Sequence, residues 1–239
     1  MAGVARTVWR TSRVKSLSGV GMAAIALAEA DDAERETRRV AMGEPYRTLL
    51  GHFRHEIGHW YWDILVRDGG ALDACRAVFG DHDEDYGQAL QNHYDSGPKP
   101  DWQNEFVSAY AGAHAWEDFA ETWAHYLHIV DCLETGGAWG VSLNPQADRE
   151  GILTTEVDFD VFDKGTSIEQ IVNAWTALSS ALNSFNRSMG LQDAYPFVLA
   201  PAVVKKLEFV HELVHGRIGS ATGQGVSKTL AEGQQASAG

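Results

Sequence analysis

Apolar residues recur at helical spacing in four stretches of this chain, and the polar, glycine-rich segments between them carry no comparable period. From Pro45 to about Arg67, residues Leu49, Leu50, Phe53, Ile57, Trp60, Tyr61, Ile64 and Leu65 outline the apolar face of a first long helix. Pro45 suits its first turn and Gly69-Gly70 its stop. Short helices follow between Leu72 and Asn92, and Ser96-Gly97-Pro98-Lys99-Pro100 breaks the chain. A second long helix is predicted from about Ala115 to Leu133, closed by Gly136-Gly137. A third, capped by Thr166 or Ser167, runs through Met189 with Ile168, Ile171, Val172, Trp175, Leu178, Leu182 and Phe185 on its apolar face. The last covers Pro201 to His215.

The stretch from Ala138 to Gly165 reads as loop with at most a short strand pair, of a kind that often lines sites. Near the start, Ala23 to Ala28 suits a strand or buried apolar segment, and Asp31 to Arg39 a charged helical turn or two. The pattern therefore predicts an α+β fold, predominantly α-helical with a small β component. It divides into a flexible arm over residues 1–22, one domain over 23–218 and a disordered tail over 219–239.

Composition narrows the function classes. With 239 residues, 44% of them hydrophobic, the chain can bury its own core. A net charge of −14 argues against a nucleic-acid partner, which calls for a basic face. Cys75 and Cys132 stand far apart without a CxxC pair, so neither a disulfide framework nor a thiolate zinc site is expected, and a reducing cytoplasm fits best. The basic start with Arg6, Arg10, Arg13 and Lys15 resembles a targeting leader, but the apolar run Met22 to Ala28 falls far below the roughly 20 residues of a membrane span. No membrane association is expected.

The pentapeptide His55-Glu56-Ile57-Gly58-His59 carries the chemistry. Residues i and i+4 of a helix differ by about 40° around the axis and about 6 Å along it, so both imidazoles can reach one tetrahedral ion. Glu56 then points beside the metal, where a water would sit, and can take its proton as general base. A catalytic zinc needs a third protein ligand and one open position. Glu117 and Glu121, four apart on the second long helix, offer one residue to ligate and one to orient a ligating histidine. The spelling recurs at His211-Glu212-Leu213-Val214-His215, but only Glu232 follows it, and Leu207, Val210, Leu213 and Val214 mark an ordinary packing helix. His52, one turn before His55, could support the ligands from behind but reads rather as an exposed or capped helix histidine, and His125 and His128 read as hydrogen-bonding residues at the core edge. Asp63 could orient His59 or simply be solvated. Trp60, Trp62, Trp116 and Trp123 suit core and cleft wall, and Asp81 to Asp85 a solvated turn.

Residues Gly43 to Asp63 and Phe106 to Ile129 resemble a bacterial family of zinc-binding metallopeptidases assigned to the zincins on motif grounds. The resemblance continues through Pro196-Phe197 and Pro201 to His215, and so spans most of residues 27–215. The second segment is also similar to the lethal-factor branch of the zincins in the spacing of Tyr110, Glu117 and Glu121. That resemblance implies His55, His59 and Glu117 as ligands of one Zn2+ per chain and Glu121 as the support of the histidine shell. It further implies Glu56 as base, Tyr110 as oxyanion donor, a zincin-like domain, and a peptide or protein substrate. Members of the family commonly begin with a cysteine-rich zinc ribbon, whereas residues 1–30 contain no cysteine. Two rival readings remain. Glu-x-x-His recurs at Glu56/His59, Glu208/His211 and Glu212/His215, which suits a di-iron carboxylate bundle serving as an oxidoreductase or metal store. A catalytically silent zinc-binding module is the other.

Overall fold

A computed structural model describes residues 48–219. The arm, the Ala23 to Ala28 segment, the Asp31 to Arg39 turns, Pro45 and the tail beyond Gly219 lie outside the described residues. Helix α1 (Leu49–Tyr61) begins where the Thr48 hydroxyl accepts a hydrogen bond from the Gly51 amide, and it runs directly into a π-helical turn, Trp62–Arg67. Helices α2 (Leu72–Phe79) and α3 (Tyr86–Ser96) follow, then two 3-10 turns at Trp102–Asn104 and Ala111–Ala113. Helix α4 (Ala115–Ala138) is the longest element. A minimal antiparallel pair, β1 (Ser142–Leu143) and β2 (Thr155–Glu156), precedes α5 (Ile168–Ser188) and α6 (Pro201–Val214). The structure is thus mostly helical with one small two-stranded sheet.

Helix α4 is the axis of the core. Its Phe119, Tyr126, Ile129, Val130 and Leu133 are essentially inaccessible, and α1, α2, α5 and α6 all pack against it. Helix α5 starts where the Ser167 hydroxyl accepts from the Gln170 amide, a cap satisfying one of the four orphan donors of a helix start. Its Ile168, Ile171, Trp175 and Leu178 are buried as its period predicts, whereas Phe185 is two-thirds exposed. Pro201 occupies the first position of α6, where its missing N–H costs nothing. That helix is tied to α4 by a buried ion pair, Lys206 Nζ to Asp118 Oδ2 at 2.6 Å, and Lys206 also donates to the Glu105 carbonyl at 2.7 Å.

Three elements depart from the periodicity. Helix α1 exposes Leu49, Leu50 and Phe53 and buries His55 and Gly58, with Trp62 and Val66 continuing that stripe through the π turn. The face turned inward is the one that carries the motif. A Cβ at Gly58 would stand 3.2 Å from both the Ala120 Cα and the Trp123 Cβ, so any side chain there would push the two helices apart by a few tenths of an ångström. Helix α4, in turn, runs through Gly136-Gly137 instead of stopping there, because Gly136 packs under Leu178 and Val157. The Ala138 to Gly165 loop does pair as a short hairpin, but it sits at that C-terminal end of α4. Its later residues reach the end of α6, where His215 meets the Phe162 carbonyl and Arg217 the Lys164 carbonyl.

Two outcomes follow from this packing. Gly58→Val should destabilise the fold by about 1–3 kcal/mol, read as a lower urea midpoint, because the side chain meets backbone that cannot rotate away. His125 is buried, with Nδ1 2.7 Å from the Tyr195 hydroxyl, and burial lowers its pKa from 6.5 to about 4. The unfolded chain takes up a proton near pH 6.5 that the folded chain refuses. Stability from this residue is therefore complete above pH 6.5 and drains as pH falls towards 4, by at most about 1.4 kcal/mol per pH unit. Urea titrations across that range should show a shallower pH slope in His125→Gln.

Candidate metal centre

The close contact at Gly58 sets the first turns of α4 against the middle of α1, and three side chains meet there. His59 Nε2 lies 3.1 Å from His55 Nε2, and Glu117 Oε2 lies 3.1 Å from His55 Nε2 and 3.5 Å from His59 Nε2. Ligands about 2.0–2.1 Å from a tetrahedral zinc stand ~3.3 Å apart, so the three atoms are spaced as one ion would space them. His55, His59 and Glu117 form the single group of this kind among the described residues.

The surroundings favour a cation. Glu117 is 1% exposed, and its buried Oε2 is faced by the Nε2 atoms of His55 and His59, an arrangement that calls for a positive charge between them. Burial works to raise the Glu117 carboxyl, but the charges and hydrogen bonds of His59 and His55 hold it well below the usual carboxylate range. Burial opposes protonation of His55, yet its hydrogen bonds to Glu117 and Glu121 outweigh that and raise its pKa well above the ordinary imidazole value. A divalent metal would take the place of that proton, and the residues present fit it, two neutral imidazoles and a carboxylate being a common zinc donor set.

A further layer fixes these side chains. Glu121 Oε1 accepts from His55 Nδ1 at 2.7 Å, which leaves Nε2 free to face the centre. Against burial, that bond and the His55 charge bring the Glu121 carboxyl down to about 2. Ser108 donates to the other Glu121 oxygen at 2.6 Å. The Tyr86 hydroxyl donates to Glu117 Oε1 at 2.6 Å. The His59 ring lies against Trp116, with ring centres 3.8 Å apart. Tyr110 stands beside His55, ring centres 6.0 Å apart. Burial, then the Glu117 charge, pushes its hydroxyl pKa well up, so it remains a proton donor.

Glu56 hydrogen-bonds His52 Nε2 at 3.2 Å. Burial raises the Glu56 carboxyl, but that bond and the nearby His55 and His59 leave it below its ordinary value. His52 is accordingly not an exposed helix residue but the partner of the proposed base. Asp63 pairs with Arg67 at 2.6 Å on the surface, so of its two readings the solvated one holds. His125 and His128 are hydrogen-bonded as expected, to Tyr195 and Arg54.

The second pentapeptide does other work. His211 Nδ1 meets the Tyr126 hydroxyl and Nε2 the Thr166 carbonyl, both at 3.0 Å, so neither nitrogen is available to an ion. His215 Nδ1 lies 2.8 Å from the His211 carbonyl. Glu208 is exposed and Glu212 is held by Arg217. These partners leave the di-iron reading without its second Glu-x-x-His pair.

Tyr86 and Ser108 escape sequence reasoning, and the supporting role open to His52 does not by itself name Glu56 as its partner. Tyr86 opens a helix capped by Asp85, a signal that places the helix but says nothing of what its first side chain touches 31 residues away. Ser108 lies two positions before Tyr110, and His52 one turn before His55. Neither spacing is specific.

Comparisons with known proteins agree with the centre. Residues 10–213 match the model of a family described as putative zinc-binding metallo-peptidase. Over 196 residues the chain is 48% identical to uncharacterized proteins of Mycobacterium bovis and of two strains of Mycobacterium tuberculosis, an alignment covering 81% of this chain and 54% of each relative. The chain thus spans about half the length of the curated relatives it matches. No solved structure matches. With that model covering most of its length and these relatives sharing nearly half their aligned residues, the chain belongs to the putative zinc-binding metallo-peptidase family.

Proposed function

We propose that this chain is a zinc-dependent metallopeptidase with a zincin-like centre, hydrolysing peptide bonds of a peptide or protein substrate. The observation that carries the reading is the convergence of His55 Nε2, His59 Nε2 and the buried Glu117 Oε2 at the separations given above. Bound there, zinc would polarise the scissile carbonyl and make water a competent nucleophile at neutral pH. The chain's own residues supply the rest. Glu56, charged and steadied by His52, receives the proton of the attacking water and returns it to the leaving amine. Tyr110, kept protonated, donates to the oxygen that gains charge as the carbonyl becomes tetrahedral. Glu121 holds His55 in the tautomer that directs Nε2 at the ion. A structural zinc site has no use for a carboxylate placed as Glu56 is, which favours hydrolysis over a silent module.

The wild type should bind one zinc per chain by metal analysis, and His59→Ala and Glu117→Ala should each lose most of it. Undiminished zinc in both variants, or two irons per chain, would sink the assignment. Glu56→Gln should keep full zinc occupancy while cleavage in a broad peptide library falls by at least about 10²–10⁴-fold. Retained cleavage in that variant would remove Glu56 as the base.

A further inference from the structure

Among the described residues, Tyr86 hydrogen-bonds a proposed metal ligand from outside the two helices that carry the ligands. Its hydroxyl donates to Glu117 Oε1 at 2.6 Å, while Oε2 of the same carboxylate faces the two imidazoles. The phenol is set from several sides. Asp85 caps α3 by accepting from the Gln88 amide at 2.8 Å, which fixes Tyr86 at the first turn. The ring makes edge contacts with His114 and Trp116, centres 5.3 and 5.6 Å away. His114 itself caps α4 through Nδ1, which accepts from the Trp116 amide, and its Nε2 donates back to the Glu84 carbonyl at 3.2 Å. No residue of α3 is buried, so these polar and aromatic ties, rather than a core face, hold the helix at the site.

We propose that Tyr86 is a positioning residue that occupies one oxygen of Glu117, so that the carboxylate offers the metal a single oxygen and leaves one coordination position open for the reaction. The proposal rests on the metallopeptidase reading and deepens it. A carboxylate can bind a metal through one oxygen or through both. With two imidazoles and a water also bound, a chelating Glu117 would make the ion five-coordinate and crowd the position that the substrate carbonyl must reach. A hydrogen bond to Oε1 opposes that second contact, because chelation would require the buried oxygen to exchange its phenol donor for the ion. Tyr86 thereby acts through Glu117.

Cobalt(II) substitution tests this with a readout separate from activity. The wild-type protein should give the intense visible absorption of a four-coordinate site. Tyr86→Phe should shift to the several-fold weaker absorption of a five-coordinate one, with zinc affinity by chelator competition reduced about 10–100-fold and kcat falling more than KM rises. Ser108→Ala, which removes the hydroxyl on Glu121 rather than on the ligand, should keep the four-coordinate spectrum. A Tyr86→Phe protein with the wild-type spectrum and zinc affinity within twofold of wild type would overturn the proposal while leaving the metallopeptidase reading intact. Wild-type protein that takes up neither zinc nor cobalt would overturn both. Should Tyr86→Phe fail to fold, X-ray absorption on the wild-type zinc protein decides: one carboxylate oxygen at about 2.0–2.2 Å supports the proposal, and two overturn it.

Discussion

The approach of α1 to α4 at Gly58 is the contact on which the centre depends. Histidine and glutamate side chains of fixed length can share an ion only if their helices are close, and the absent Cβ sets that closeness against Ala120 and Trp123. Arg54 adds a second tie, from α1 to His128 and Asp131 further along α4. The ligand separations are a result of backbone packing as much as of the ligands themselves. The pentapeptide in α6 shows the converse. It has Val214 where α1 has Gly58, and His211 is spent on Tyr126 and Thr166. Two identical spellings of His-Glu-x-x-His are thus placed differently, one in a group that could hold an ion and the other pinning a helix to its neighbours.

Helix existence was legible because long apolar periods report burial of a face, and Ser167 and Pro201 mark their helix starts by local chemistry that needs no tertiary context. What the period misjudged was which face of α1 turns inward. Leu49, Leu50 and Phe53 look like core, but the helix is oriented by His55, Gly58 and Trp62, whose contacts lie on α4 and cannot be counted from α1 alone. Gly136-Gly137 misled for a related reason. Glycine ends helices when nothing else acts on it, whereas here the small residue admits Leu178 and Val157.

The candidate site divides along the same line. His55 and His59 follow from helix geometry, since their spacing on one element suffices. The rank of Glu117 over Glu121 did not follow from spacing and came from family likeness. In the structure the two carboxylates sit in distinct places, Glu117 facing both imidazole Nε2 atoms and Glu121 bonded to the back of His55. Tyr86 was out of reach because a contact between the first residue of one helix and the third of another has no periodic signature.

The buried links around the centre join parts of the chain that are remote in sequence. Glu121 meets His55 across 66 residues, and Lys206, which braces Asp118 beside Glu117, reaches back 101 residues to Glu105. Loop closure over such spans is an entropic cost met only when several helices dock together. Unlike a small zinc finger, in which the metal organises a short peptide, this centre is assembled by the folding of nearly the whole described chain. An ion held by His55, His59 and Glu117 would therefore report that α1 and α4 have docked, since neither helix alone brings the three side chains together.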